Sequence, residues 1–164
     1  MIELQPDPAP GPIRLQHGGV DDLDDVMHIM TAAFPPCFGE GWTRSQCAGI
    51  LPMAGVKLTI ARDSRRPVAF SLMRIVADEA ELLLIAVDPA EQGKGIGGIL
   101  LDHFVETGSA FGASRLHLEV RDGNPAVVLY EKAGFVAAGR RRGYYRGPEG
   151  KHYDALTLVF DESK

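Results

Sequence analysis

The sequence predicts an α+β domain built on a mixed, mostly antiparallel sheet of six or seven strands, with about four helices. Three apolar segments separated by short polar turns follow one another in the middle of the chain, which is typical of antiparallel hairpins. A single strand–helix–strand succession comes next, and such a crossover pairs its two strands in parallel. A chain of 164 residues is long enough for one domain with its own core.

The first half of the chain is expected to hold a strand, two helices and two strands of a hairpin. Pro35-Pro36 ends the first helix, and Thr43 is suited to cap the second. Four prolines in residues 1–12 favour a flexible arm before a single domain of residues 13–164. The expected strand, helix, short helix and two hairpin strands are Ile13–His17, Asp21–Phe34, Thr43 to about Pro52, Val56–Arg62 and Val68–Val76.

The second half is expected to begin with a strand that is apolar at almost every position. Such a continuous apolar run predicts burial on both faces. Asn124 can cap the last helix, and Gly134 is suited to end it in the left-handed conformation. The expected strand, helix, strand, helix and two closing strands are Ala80–Val87, the segment from the glycine-rich loop to about Ala110, Arg115–Arg121, Asn124–Ala133, Phe135–Tyr145 and His152–Phe160.

Composition argues against several classes of protein. A net charge of −5 does not favour nucleic-acid binding, which needs a basic face. The N-terminus lacks the basic and apolar segments of a signal peptide, and no window approaches a membrane span. Two cysteines and five scattered histidines suggest neither a disulfide framework nor a metal site. We therefore expect a soluble cytoplasmic protein, a monomer or homodimer, without metal, nucleic acid or membrane as a partner.

A glycine-rich loop, Gly93-Lys94-Gly95-Ile96-Gly97-Gly98, follows a buried strand and opens a helix. Glycine lets the backbone approach a ligand, and the free N–H groups of a first helical turn attract phosphate. The loop therefore predicts a diphosphate site. Its glycines also satisfy the dinucleotide fingerprint, with Glu119 about 20 residues on; the long strand-to-glycine connection and the single crossover speak against that alternative. A glycine-rich turn without a ligand is the third interpretation.

Two blocks of sequence resemble the GNAT acetyltransferase superfamily over nearly the whole chain. Gln92-x-x-Gly95-x-Gly97 is similar to the family's acetyl-CoA pyrophosphate motif, and Leu118-Glu119-Val120 to Gly134-Phe135 is similar to its second block. The resemblance implies the GNAT fold with one splayed parallel pair, acetyl-CoA as cosubstrate and acetyl transfer to an amine. It implies that cofactor contacts come from the backbone of Ile85, Ala86 and Val87, from Gln92, Gly93, Lys94, Gly95, Ile96, Gly97 and Gly98, and from Asn124.

The same resemblance suggests an acid–base pair. Amine acetylation needs a neutral nitrogen and a proton for the departing thiolate. Leu116-His117-Leu118-Glu119-Val120-Arg121 looks like the segment that carries the base of the protein-alanine acetyltransferases, which would make Glu119 the general base. Tyr130 would be the general acid. The alternatives are a surface carboxylate at Glu119, alternating with Leu118 and Val120, and amphipathic packing of Tyr130.

The C-terminal segment indicates which kind of amine accepts the acetyl group. Arg140-Arg141-Arg142-Gly143-Tyr144-Tyr145 resembles the RimI-type ribosomal-protein-alanine N-acetyltransferases, which implies that Tyr144 and Tyr145 bind a substrate N-terminus. A cross-strand aromatic pair that stabilises a hairpin is the alternative. The segment from Phe34 to Trp42 departs from the compact turn of that family. It should border the acceptor groove, and Trp42 either walls the groove or packs in the core.

We therefore expect an N-terminal protein acetyltransferase. An acetyltransferase for a small amine or a lysine is the first alternative, and a non-catalytic module that binds CoA or a nucleotide is the second.

Overall fold

A computed structural model describes residues 11–163. It contains one seven-stranded sheet in the order β1-β2-β3-β4-β5-β7-β6 and four α-helices within that range. The predicted α+β class with one crossover is confirmed. The predicted N-terminal arm falls largely on residues 1–10, outside the described residues. The elements are β1 (Ile13–Gly18), α1 (Leu23–Ala33), α2 (Arg44–Ile50), β2 (Val56–Asp63), β3 (Arg66–Val76), β4 (Glu79–Val87), α3 (Ile96–Ala110), β5 (Arg115–Arg121), α4 (Ala126–Lys132), β6 (Phe135–Arg146) and β7 (His152–Phe160).

The parallel pair is short. Strands β4 and β5 pair from Glu79 opposite Arg115 to Leu82 opposite Leu118, although β4 continues to Val87 and β5 to Arg121. Beyond the last pair the two strands part, and their facing backbone groups border a cleft. One parallel pair is too few for the doubly wound sheet of a dinucleotide-binding fold, so that alternative does not fit the structure.

Strand β4 carries a β-bulge that sequence periodicity does not predict. Leu72 of β3 lies opposite Leu84, but the next residue, Met73, lies opposite Leu82, which leaves Leu83 as an extra residue. Ala80 and Leu82 therefore pack with α3, whereas Leu84 and Ala86 pack with α1 on the other face. The strand thus buries residues on both faces, as predicted, but the alternate residues are only half-buried, because the strand borders the cleft.

Helix ends follow local signals closely. Thr43 caps α2 as predicted: its hydroxyl accepts the Gln46 N–H at 3.2 Å, and the Gln46 side chain accepts the Thr43 N–H at 2.7 Å. Asn124 Oδ1 accepts the Ala126 N–H at the start of α4, at 2.9 Å. Gly134 follows α4 with φ +103°. No helix among residues 11–163 is long and apolar enough to cross a membrane.

Candidate active site

The parted ends of β4 and β5 open into a cleft with a volume of about 770 Å³. Backbone and side chains of β4 form one wall, and β5 with the start of α4 forms the other. The cleft brings together the predicted Ile85, Ala86 and Val87, Gln92, Gly93, Gly95 to Gly98, Glu119, Asn124, Tyr130, Tyr144, Tyr145 and Trp42. Lys94 is absent from this lining within the described part of the chain.

The glycine loop presents open backbone at one end of the cleft. Gly93 and Gly95 have φ of +82° and +83°, a conformation that glycine adopts without strain. A Cβ placed on Gly93, Gly95 or Gly98 would have no neighbouring atom within 4 Å, so the space in front of this backbone is free. The first turn of α3 begins at Ile96, and its N–H groups have no partner within the helix. This donor set fits a diphosphate.

Lys94 instead helps to hold the loop from outside the cleft. Its Nζ lies 2.8 Å from Glu91 Oε2, and Arg66 lies 2.6 Å from Glu91 Oε1. The hydrogen bonds from Lys94 and then Arg66 hold the pKa of Glu91 below its ordinary value. Both cations are more than half exposed.

Glu119 lies in β5 just beyond the point where the parallel pairing ends. Its side chain is 10% exposed, and both carboxylate oxygens have a partner. The Thr157 hydroxyl on β7 donates to Oε2 at 2.8 Å, and Arg141 Nε on β6 lies 3.1 Å from Oε1. The carboxylate is thus held by groups from two further strands. It lines the cleft, which argues against the interpretation as a surface carboxylate.

Tyr130 reaches the cleft from α4 and is 5% exposed. Its ring packs edge-on against Phe135, with ring centroids 6.2 Å apart. Burial raises the pKa of the Tyr130 hydroxyl, and the negative charge of Glu40 raises it further. The phenol therefore stays protonated throughout the physiological pH range and can donate a hydrogen bond into the cleft.

Tyr144 and Tyr145 owe their position to an irregularity in β6. The pairing of β6 with β7 shifts between Arg141 and Tyr145, where Gly143 has φ +63° and donates its N–H to Asp154 Oδ1 at 3.0 Å. The two tyrosine rings meet edge-on at 5.0 Å. The Tyr145 hydroxyl donates to the Glu119 backbone carbonyl at 3.4 Å. Burial raises the pKa of Tyr145, as do Tyr144 and the carboxylates of Glu40 and Glu119.

Glu40 is a site residue that sequence reasoning missed. It lies in the 35–42 loop, lines the cleft and accepts a hydrogen bond from Arg121 Nε. The two side chains are 8% and 10% exposed. Asn124 Nδ2 approaches Glu40 Oε2 at 3.4 Å, and the Arg121 guanidinium lies 3.6 Å from the centroid of the Phe38 ring. The sequence separation of 81 residues between Glu40 and Arg121 leaves no local pattern to detect.

The 35–42 loop also contacts the β6–β7 hairpin closely. The backbone of Gly39 lies against the Arg146 carbonyl, and that of Gly147 against the Cys37 carbonyl, with no room for a Cβ in either place. Trp42 combines its two predicted roles, because it lines the cleft and packs against the core beneath α1. The loop and the hairpin together border the end of the cleft that holds Tyr144 and Tyr145.

Comparisons with known proteins agree with this geometry. The model of the Acetyltransferase (GNAT) family matches residues 23–135. The [ribosomal protein bS18]-alanine N-acetyltransferase of Salmonella typhimurium is 41% identical over 105 residues, 63% of this chain and 70% of that protein. The Escherichia coli protein of the same description is 43% identical over 92 residues, 56% of this chain and 62% of that protein. The crystal structure of the ribosomal-protein-S18-alanine N-acetyltransferase from Escherichia coli superposes with a TM-score of 0.80 at 32% identity, covering 91% of this chain and 93% of that one.

Proposed function

The chain belongs to the GNAT acetyltransferase family and is an acetyl-CoA-dependent N-acetyltransferase, and from this premise we propose that its acceptor is the N-terminal α-amine of a protein. The two bacterial relatives reported above are described as ribosomal protein bS18-alanine N-acetyltransferases, and we propose an acceptor of that ribosomal-protein-alanine type, acetylated in the cytoplasm. The observation that carries the proposal is that one cleft joins the glycine loop, Glu119, Tyr130 and the tyrosine pair.

The proposed site for acetyl-CoA runs from the glycine loop along β4. The free N–H groups at the start of α3 would hold the diphosphate, and the backbone of Ile85 to Val87, which has no strand partner on the β5 side, would hydrogen-bond the pantetheine arm. Gly98 supports this assignment. Glycine within a helix is about 0.8–1.0 kcal/mol less favourable than alanine, yet apart from its chain neighbours and the nearby backbone of α3 itself nothing lies within 4 Å of a Cβ at Gly98. A ligand that approaches the backbone at this position would explain why the residue is glycine and not alanine.

Glu119 is the proposed general base. The α-ammonium group of the acceptor gives a proton to Glu119, and the neutral nitrogen then attacks the thioester carbonyl carbon, so that a C–N bond forms and the C–S bond breaks. An α-amino group has a pKa of about 7.7–8.0 and a lysine about 10.4, so deprotonating lysine costs roughly 3.5 kcal/mol more. One carboxylate base is therefore better matched to an N-terminus than to a lysine.

Tyr130 is the proposed general acid for the departing sulfur. Burial raises its pKa, which makes the phenol a weaker acid but keeps its proton in place until the thiolate develops. The same apolar surroundings disfavour a charged thiolate. The pKa values of the Tyr130 hydroxyl and of the CoA thiol are therefore both raised. The proton passes from the Tyr130 hydroxyl to sulfur. The second proton that the nitrogen loses on becoming an amide restores the Tyr130 hydroxyl, and the proton taken up by Glu119 returns to solvent.

Tyr144 and Tyr145 are the proposed acceptor contacts. Tyr144 is 48% exposed at the edge of the cleft, where an extended peptide could lie against its ring. Tyr145 is fixed by its hydrogen bond to the Glu119 carbonyl, so it would align the acceptor backbone with the base. Because neither ring completes the hydrophobic core clusters, a contact with substrate explains the pair better than hairpin stability alone.

An acceptor panel tests the proposal. The purified protein is incubated with acetyl-CoA and either an Ala-initiated basic peptide containing an internal lysine, the same peptide blocked at its N-terminus, or a polyamine. We expect acetylation of the unblocked peptide alone, on its first residue by mass spectrometry. Acetylation that survives the block would refute the N-terminal acceptor.

A small amine is the second candidate acceptor, and the contact between the 35–42 loop and the β6–β7 hairpin favours it. Gly39 against Arg146 and Gly147 against Cys37 restrict the acceptor end of the cleft. Turnover of the polyamine at a higher kcat/KM than the peptide would identify this candidate as the acceptor class.

A further inference from the structure

Two of the nearly buried carboxylates that line the cleft, Glu40 and Glu119, have counter-ions that differ in exposure. Glu40 and its partner Arg121 are 8% and 10% exposed, so the whole pair is shielded from water. Glu119 is equally buried at 10%, but its partner Arg141 is 62% exposed. The first pair is enclosed by the fold, whereas the second joins a buried anion to a cation that solvent can reach.

This difference predicts different strengths. Leaving one partner of a buried ion pair unpaired is strongly unfavourable, because the remaining charge has lost its hydration. A pair with an exposed partner is weak, since water can solvate the released cation, and it changes an equilibrium constant by at most about fivefold. Glu119 therefore keeps its hydrogen bond from Thr157, at 2.8 Å, while Arg141 is free to leave Oε1.

Among the described residues, Arg141 does not itself line the cleft, but it contacts two that do, Glu119 and Tyr144. It precedes the irregular segment of β6 that carries the tyrosine pair, and its guanidinium carbon is 5.6 Å from the centroid of the Tyr144 ring. The guanidinium thus touches both the proposed base and the ring that we propose as an acceptor contact. Arg140, by contrast, is held by two carboxylates, Asp122 at 2.7 Å and Asp154 at 2.9 Å.

We propose that Arg141 is a displaceable counter-ion of Glu119 that determines how strongly the acceptor binds: the acceptor's ammonium group replaces the guanidinium at Glu119 Oε1. One cation takes the place of another, so the buried carboxylate is never left without a partner. The ammonium group then gives its proton to Glu119, and Arg141 remains in solvent beside Tyr144. The acceptor thus enters as a cation, and Arg141 competes with it. This inference rests on the proposed role of Glu119.

Arg141→Gln tests the competition, with Arg142→Gln as a matched control. Both substitutions remove one exposed positive charge from the same strand, but only Arg141 contacts Glu119. With an Ala-initiated peptide that carries no other charge, we expect Arg141→Gln to lower the acceptor KM about two- to fivefold relative to Arg142→Gln. The KM for acetyl-CoA should not change, and the difference between the variants should shrink at high salt because exposed pairs are screened.

Two outcomes would overturn the proposal: an acceptor KM in Arg141→Gln equal to that of Arg142→Gln, or a KM higher than that of the wild type. Glu119→Gln separates this failure from a failure of the proposed function. If Glu119→Gln retains full turnover, the base assignment itself is wrong. If Glu119→Gln loses turnover while the two arginine variants behave alike, Glu119 is the base and only the competition by Arg141 is refuted.

Discussion

Replacing Gly98 with alanine should have opposite effects on two properties: it should raise the stability of the fold and weaken the binding of acetyl-CoA. Gly98 lies in the first turn of α3, and a Cβ there would have no neighbour within 4 Å. The substitution should therefore stabilise the helix by about 0.5–1 kcal/mol, which raises Tm by roughly 1–4 °C for a domain of this size. The same methyl group would occupy the space in which the diphosphate approaches the N–H groups. Loss of one charge-assisted hydrogen bond, about 1.5–3 kcal/mol, predicts a KM for acetyl-CoA raised on the order of tenfold or more.

The assay combines thermal unfolding with steady-state kinetics at varied acetyl-CoA concentration. Gly49→Ala is the matched control, because Gly49 lies in helix α2, away from the cleft lining, and a Cβ there also has no neighbour within 4 Å. The control should gain similar stability with an unchanged KM. If Gly98→Ala gains stability and keeps the wild-type KM, the backbone at the start of α3 does not contact the cosubstrate, and the account of the glycine loop is refuted.

Three further perturbations test other parts of the site. Glu40→Gln leaves the buried Arg121 guanidinium without an opposing charge and should destabilise the domain by about 3–5 kcal/mol in chemical denaturation; a loss below about 1 kcal/mol would contradict a buried pair. Tyr130→Phe should lower kcat with little change in CoA affinity by calorimetry, and a large loss of affinity would contradict the acid role. Because the pKa of Tyr130 is raised in the folded state, its contribution to the free energy of unfolding is complete below the unfolded pKa of about 10. At higher pH that contribution is lost by about 1.4 kcal/mol per pH unit. Tyr130→Phe should therefore make the free energy of unfolding fall less steeply above pH 10, and an identical pH dependence in both proteins would contradict the raised pKa. Lys94→Ala should raise the KM for acetyl-CoA less than Gly98→Ala does, since Lys94 pairs with Glu91, and an equal or larger rise would assign Lys94 to the diphosphate.

Much of the fold could be predicted because its signals are local. The capping box at Thr43 and the left-handed Gly134 lie where the sequence placed them. The bulge at Leu83 could not be predicted, because it depends on how β4 aligns with β3. Apolar residues occupy both sides of this strand in the sequence, so nothing in the pattern marks the position where the buried face changes.

The candidate site also has a part that the sequence predicts and a part that it does not. Its motif residues follow one another along the chain, and the structure brings nearly all of them to one cleft. The side chains that hold them come from distant segments: Thr157 is 38 residues from Glu119, and Glu40 is 81 residues from Arg121. Such pairs depend on tertiary structure alone. Lys94 is the opposite case. Its place in the glycine-rich motif predicted a contact with the cofactor, but in the structure its ammonium group pairs with Glu91.

A crystal structure of the protein with CoA tests the central claim most directly. The account predicts the diphosphate on the backbone N–H groups from Gly95 to Gly98, the pantetheine arm along Ile85 to Val87, and the sulfur within reach of the Tyr130 hydroxyl. Density for CoA outside the cleft between β4 and β5, or a sulfur far from both Tyr130 and Glu119, would contradict it.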